Sequence, residues 1–349
     1  MLNKTKISKI LLILSILGLS SSLALGLSSC QLKRESILKD PITVRDFKLD
    51  TYVSVSIYDN VDSSIARSTI DLCDKYENIF SMQKDTSVLW QVNHNKTTTI
   101  PADLGKAIKI ALNYSNKTDG AFQITIGGVS SLWDFSSGKK IIPDENSIKE
   151  ALATVDDTKV NVKPLDSNKP DGDWTIEKPE KTMIDLGGVA KGYIADRLKE
   201  YLISKSVKHA IINLGGNVVC LGGKGDNDFK IGIQKPFANE GTTATTLSLS
   251  NKSSVSSGIY ERYFIGDDGN FYHHILDPKT GYPYKNNIYQ VTIISDDSVT
   301  GDCLSTICYV LGLEKGMALI ESMDNIEAIF ITSDQELHYS SGAKQYAIH

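Results

Sequence analysis

KTMIDLGGVAKGYIAD, residues 181–196, is the stretch whose reading decides the fold. A short apolar strand ends at Asp185, Gly187 and Gly188 turn the chain, and the spacing predicts a helix from near Val189 to about Ser204. Glycines at a strand-to-helix turn let backbone N–H groups approach a phosphate, and the helix N-terminus favours negative charge there. Taken alone, a Gly-Gly pair is more often the geometry of an ordinary turn than an anion site. The spacing matches neither GxGxxG nor GxxxxGK followed by Ser or Thr, so the ordinary dinucleotide and P-loop readings fail. Just downstream, INLGGNVVCLGG (212–223) reads as strand, Gly-Gly turn and second strand, a β-hairpin.

Working outward, residues 47–58, FKLDTYVSVSIY, alternate as a strand, and 62–80 and 102–117 carry helical spacing. Residues 136–180 are the most polar part and read as a peripheral excursion. After 290 the pattern is strand, helix, strand. No linker separates two independent domains. These elements predict an α+β fold: one unit with mixed or antiparallel sheets and packed helices, in two closely joined lobes. The composition agrees, since 41% apolar residues in a chain of 349 can build a large core. A formal net charge of −5 offers no basic face, so nucleic acid is excluded as a partner.

The first thirty residues are different in kind. MLNKTKISK carries Lys4, Lys6 and Lys9 without an acid, and residues 10–27 carry no charge at all. A basic segment before an apolar one is the layout of a secretory signal, with an uncleaved membrane anchor as the alternative. Leu27-Ser28-Ser29-Cys30 resembles a bacterial lipobox, in which the cysteine is lipidated and becomes the new N-terminus. The expectation is a signal peptide over 1–29, a polar tether over 30–45 lipidated at Cys30, and a functional domain over 46–349. Cleavage would leave about 320 residues at a charge of about −8, held at the extracytoplasmic face of the cell membrane through its lipid alone. No other stretch approaches eighteen uninterrupted apolar residues. Cys73, Cys220, Cys303 and Cys308 read as small buried apolar residues.

Two further segments carry candidate chemistry. In GDDGNFYHHILDPKTGYPY (266–284), Asp-Pro and Gly-Tyr-Pro force extended or turned backbone, which would present His274 and Asp277 rigidly. Strand alternation puts His273 on the opposite face, as a structural histidine. In VTIISDDSVTGDCLSTICYVLG (291–312), a helix is expected to start around Asp302. Asp302, Ser305 and Thr306 then stand at i, i+3 and i+4 on one face of its first turn, a set of oxygens suited to a hard cation such as Mg²⁺. The competing reading makes Asp302 a simple N-cap.

Taken together, DLGGVAKGYIAD, INLGGN, SSGIYERYF, HHILDPKTGYP and GDCLSTICYVLG resemble the ApbE family of FAD:protein FMN transferases. LDTYVSVSI (49–57), FSMQKDTSVLWQVN (80–93) and GAFQITIGGVSSLW (120–133) resemble the family's earlier segments, so the likeness runs over about residues 46–340. It implies transfer of the FMN half of FAD to a Thr or Ser hydroxyl of an exported FMN-binding acceptor protein, releasing AMP. By the same resemblance, Mg²⁺ falls to Asp302, Ser305, Thr306 and the carbonyl of Gly188. FAD contacts fall to Leu49, Ala121, Phe122, Gln123, Asp185, Lys191 and Leu276. His274 matches the histidine of the family's HIxDP segment and is the expected base, with Asp302 its rival. Gln123 stands where many relatives have Asp, Asp50 where many have Gly, and Gln83 where a flavin-packing aromatic is frequent. Trp90, Trp133 and Tyr260 are candidates to supply that stacking. The same metal set also permits hydrolysis of FAD to FMN and AMP, and a surface lipoprotein that binds flavin without turnover is a third reading.

Overall fold

The computed structural model describes residues 37–118, 120–135 and 137–348. The signal peptide, Cys30 and residues 31–36 of the expected tether lie outside the described residues. In chain order the elements are β1 Ile42–Lys48, β2 Thr51–Ile57, α1 Ser64–Phe80, α2 Val88–Asn93, β3 Thr99–Ile100, α3 Ala102–Lys117, α4 Gly127–Ser130 and α5 Glu145–Leu152. They continue with β4 Asn161–Pro164, β5 Trp174–Glu177, α6 Ala190–Ser204, β6 Ala210–Leu214, β7 Asn217–Leu221, β8 Phe229–Gln234, β9 Thr243–Leu249 and β10 Ser253–Gly258. The last are β11 Tyr263–Ile265, β12 Phe271–His273, β13 Ile288–Ser295, α7 Ser298–Glu321, β14 Glu327–Thr332, β15 Leu337–Tyr339 and β16 Ala347–Ile348.

The scaffold is an eight-stranded sheet in the order β1-β2-β6-β7-β10-β13-β14-β15. Every strand pair among the described residues is antiparallel; a lone parallel bridge joins Ile126 to Met183. Alternation explains the layering. Val53, Val55 and Ile57 of β2 and Ala210, Ile212 and Leu214 of β6 point into one core with α1, α6 and α7. On the opposite face Cys220, Ile294, Ile329 and Ile331 pack against Phe229, Ile231, Ile233, Leu247 and Leu249 of the small sheet β16-β9-β8. Strand β13 is covered on both sides, and all but one of its residues are buried.

Three sequence expectations change. FKLDTYVSVSIY is two strands rather than one: Leu49 and Asp50 form the two-residue loop between β1 and β2, both at φ 55°. Such a turn needs positive φ at both positions, which explains why glycine suits position 50 and why Asp tolerates it. Strand β1 also starts at Ile42, inside the segment expected to be tether. Residues 157–177 are not peripheral. Val160, Val162, Trp174 and Ile176 join the main core, and Gly105 of α3 leaves the space that the Trp174 ring fills.

Helix α7 is the one further apolar element long enough to cross a membrane by length and composition among the described residues, at mean hydropathy 1.4. It is the central core helix. Gly312 breaks it, at φ 80° and ψ 172°.

The strand expected before Asp185 is irregular backbone held by side chains instead. Buried Asn93, the last residue of α2, donates to the Ile184 carbonyl at 2.9 Å and accepts from the Ile184 N–H at 2.8 Å. It does for Ile184 what a neighbouring strand would do. Asn93→Ala leaves both groups buried and unpaired, with an expected loss of about 3 kcal/mol in urea unfolding; a loss under about 0.5 kcal/mol would refute the clamp.

Candidate functional site

The site forms where the start of α6 crosses the start of α7. Gly192 sits at the crossing: a Cβ there would come within 2.5 Å of the Ser298 carbonyl oxygen and 2.7 Å of Asp302 Cβ. With no side chain in the way, the Gly192 N–H donates to Asp302 Oδ2 at 2.8 Å. This N–H is one of the donors that a helix's first turn leaves unpaired. Asp196, one turn further along α6, returns the favour by accepting from the Ser298 and Val299 N–H groups at 2.8 and 2.9 Å. The α7 N-cap is Asp297, whose side chain accepts from the Thr300 N–H at 2.8 Å. The helix therefore begins at Ser298 rather than around Asp302. Asp302 caps the neighbouring helix, not its own.

Ser305 and Thr306 follow on the same face of α7. Ser305 Oγ lies 2.7 Å from Ser257 Oγ on β10, and Thr306 Oγ1 lies 3.5 Å from the same hydroxyl. Gly188 adjoins them, since a Cβ at that position would stand 3.3 Å from Thr306 Oγ1 and 3.0 Å from the Phe122 ring. The four residues assigned to a metal are thus gathered at one place, with Phe122 against them. Asp302 is buried, which pushes its carboxyl above the usual range, while Lys191, the Gly192 N–H and Asn217 favour its charged form. One carboxylate and several hydroxyls make a weakly charged oxygen set. That donor chemistry fits a hard cation whose remaining charge a substrate phosphate would balance.

The other expected residues fall as follows. Asp185 accepts from Ser130 Oγ at 2.6 Å and from the Gly187 N–H at 2.7 Å, which locks the Gly-Gly turn. Gln123 spends its side-chain oxygen on the Asp157 N–H at 3.2 Å. Asp157 in turn accepts from the Ile124 and Thr125 N–H groups and the Thr125 hydroxyl, at 3.1, 2.9 and 2.7 Å, and so fixes the segment carrying Ala121, Phe122 and Gln123. Lys191 stands in the first turn of α6 and acts electrostatically on both Asp302 and His274. Leu49 occupies the β1–β2 turn. Leu276 packs with Val129, Trp133, Ile148 and Phe264 in a separate apolar cluster.

His274 is half-buried, with Nδ1 3.2 Å from the Arg262 carbonyl oxygen. A carbonyl only accepts, so that contact places the ring proton on Nδ1 and leaves Nε2 with a free lone pair. Desolvation first, then neighbouring His273, Arg262 and Lys191, pushes its pKa down to about 3, so the ring is neutral at physiological pH. His273 is buried, as alternation predicts: Nε2 lies 3.0 Å from the Tyr284 carbonyl oxygen, and Nδ1 accepts from the Ile275 N–H at 3.3 Å. Asp277 holds the following turn by accepting from the Lys279 N–H at 2.8 Å.

Among the stacking candidates, Trp133 is a core residue, donating to the Gly281 carbonyl at 2.9 Å amid Phe135, Phe264, Tyr272 and Tyr282. Trp90 stacks on His94 and Tyr260 donates to Gln290 at 2.8 Å. Gln83 is exposed. A cleft of about 540 Å³ between α3, α6 and the start of α7 is lined by Tyr114, Lys117, Asp196 and Thr300 among others, and by none of the expected site residues.

Comparison with known proteins joins this geometry to a family. The ApbE family model matches residues 49–330. The chain belongs to the ApbE family. Similar relatives include an FAD:protein FMN transferase of Klebsiella pneumoniae, 35% identical across 80% of this chain and 86% of the relative. Another from Treponema pallidum is 32% identical across 78% of each. The crystal structure of an ApbE protein from Thermotoga maritima aligns at a TM-score of 0.78 and 28% identity, covering 88% of this chain and all of the other. The ApbE resemblance read from the motifs and the α+β architecture both hold.

Ser257, Asn217, Asp157, Asp196 and Asn93 carry no role in the sequence reading, although INLGGN and SSGIYERYF contain two of them. Asp196 allows a direct test. Burial raises its pKa from 3.8 to about 6, against the two N–H groups that lower it. Between about pH 4 and pH 6 the folded chain keeps a proton that the unfolded chain has released. Its contribution is therefore largest at low pH and is lost as pH rises through that window. In urea unfolding, the stability of wild type minus Asp196→Asn should fall by about 2–3 kcal/mol from pH 4 to pH 7; a flat difference would contradict the assignment.

Proposed function

We propose that this chain transfers the FMN moiety of FAD to a Ser or Thr hydroxyl of an acceptor flavoprotein, with AMP as the leaving group and Mg²⁺ as cofactor. The observation that carries the reading is the gathering of Asp302, Ser305, Thr306 and Gly188 at one helix crossing, with Lys191 acting on both that cluster and His274. Family membership and the names of the relatives supply the reaction class.

In this reading Asp302, the Ser305 and Thr306 hydroxyls and the Gly188 carbonyl hold the cation. A bound Mg²⁺ would draw negative charge from the pyrophosphate as the bridge between its phosphorus atoms breaks. The chain's own residues do the rest. Asp185 keeps the Gly187–Gly188 backbone open beside the start of α6, where N–H groups and Lys191 favour phosphate. Asp157 and Gln123 fix the segment of Ala121 and Phe122 that borders it. His274 Nε2 takes the proton of the acceptor hydroxyl as the new O–P bond forms, and the Arg262 carbonyl keeps the required tautomer. A bound cation would engage the Asp302 carboxylate, whereas the His274 ring is already unprotonated with its Nε2 lone pair free. Leu49 and Leu276 complete the expected flavin contacts.

The proposal also places the protein at the extracytoplasmic face of the membrane, anchored through lipidated Cys30 after removal of residues 1–29. Its support is the charge and hydropathy pattern of that segment.

The test combines the mature protein with FAD and Mg²⁺, with and without an FMN-binding acceptor, while AMP release and acceptor mass are followed. Acceptor-dependent AMP with a mass gain of one FMN is expected, and chelation should abolish it. AMP without acceptor would replace transfer by hydrolysis, and no AMP at all would leave only flavin binding. Asp302→Ala should remove turnover, and His274→Ala should lower it by about 10²–10⁴-fold with FAD binding retained. Unchanged rates in either variant would refute that residue's role.

A further inference from the structure

Asn217 is the first residue of β7, directly after the Gly215–Gly216 turn, and is fully buried. Its backbone is held in the sheet between Leu214 and Val255. Its side chain is the anomaly. Both Oδ1 and Nδ2 are sealed from solvent without a hydrogen-bond partner. A buried primary amide left unpaired is costly, and an apolar residue at a core strand position would avoid that cost.

Its surroundings supply a reason. Helices α6 and α7 both pack on β7, and Gly301, the residue before Asp302, lies against Val255, the β10 partner of Asn217; the Asn217 amide favours the charged form of the Asp302 carboxylate. Asp302 has one oxygen committed to the Gly192 N–H. A carboxylate accepts at about four lone-pair positions, so room remains for one cation and one further donor. Asn217 Nδ2 is a buried donor with no other partner, beside the only carboxylate of the oxygen cluster.

We propose that Asn217 is a positioning residue for Asp302: its amide is kept unpaired in the folded chain and closes on the Asp302 carboxylate when a divalent cation occupies the Asp302–Ser305–Thr306 cluster. It never reaches the substrate. Its work is to hold the carboxylate in the orientation the cation needs, as outer-shell donors do at other metal sites. The inference rests on the metal reading proposed above and goes beyond it, in that it assigns the residue behind the ligand.

The two possible roles of Asn217 move two observables in opposite directions. A structural amide would make the metal-free protein less stable when removed. A positioning amide makes the metal-free protein no less stable, because the orphaned atoms disappear, while cation affinity falls. The experiment uses the full mature protein, with Asn217→Val to delete the polar atoms and Asn217→Leu to remove them at nearly the same size, neither adding a charge. Thermal midpoints are measured in chelator, and Mg²⁺ affinity by calorimetry and by the Mg²⁺-dependent rise in midpoint, neither of which needs turnover.

The expected result is a chelator midpoint for Asn217→Val equal to or above wild type, with Mg²⁺ affinity about 10–100-fold weaker in both variants. Wild-type Mg²⁺ affinity in either variant overturns the positioning role alone. A lower chelator midpoint for Asn217→Val with the Mg²⁺ response intact overturns it in favour of a packing role. Absence of Mg²⁺ binding by the wild-type protein overturns the metal reading and this inference together.

Discussion

Two helices exchange caps, and the rest of the site depends on that exchange. Asp302 of α7 takes an N–H from the first turn of α6, while Asp196 of α6 takes two from the first turn of α7. Each bond satisfies a donor that its own helix cannot. The arrangement requires close approach, and Gly192 allows it because any larger residue would strike the Ser298 backbone. The eight-stranded sheet then serves as a floor that holds both helix starts at one height. Ser257 rises from that floor into the hydroxyl cluster. Catalytic geometry and fold geometry here are one constraint.

Much of this was legible in the chain, for identifiable reasons. Helix α3 matches the expected 102–117, and α6 starts within a residue of Val189, because periodic apolar residues and flanking turn residues marked them locally. The cluster of Asp302, Ser305 and Thr306 was readable because helical spacing alone puts three oxygens on one face. Its setting was not. The cap at Asp297 is a local bond to the Thr300 N–H, made by one of several acids that could have started the helix, whereas the pairing of Asp302 with α6 is a tertiary fact.

The β1–β2 hairpin was invisible because Leu49-Asp50 lacks the Asn-Gly or Gly-Gly signature that marks such a turn, although both residues adopt its backbone. Ser257, Asp157 and Asn93 stayed silent for another reason. Each acts on a partner far away in sequence: Asn93 on Ile184, Asp157 on Ile124 and Thr125, Ser257 on Ser305. Polar residues in apolar surroundings read as unremarkable until the fold supplies the partner. Trp133 takes the commoner of the two roles open to a large aromatic, since the core needs it.

The hydroxyls around Asp302 also have a direction. Ser305 Oγ can donate to the Asp302 carbonyl at 3.1 Å, and the Ser257–Ser305 contact can be made with either hydroxyl as donor. Without a bound cation, either hydroxyl of the Ser257–Ser305 contact can be the donor. A cation facing Ser305 and Thr306 would admit only oxygen lone pairs, so both protons would turn outward to the acceptors that the Asp302 carbonyl and Ser257 Oγ offer. Occupancy would convert a degenerate set of rotors into one ordered chain running from the sheet to the helix. Part of the free energy of binding is then spent on choosing which way the protons point.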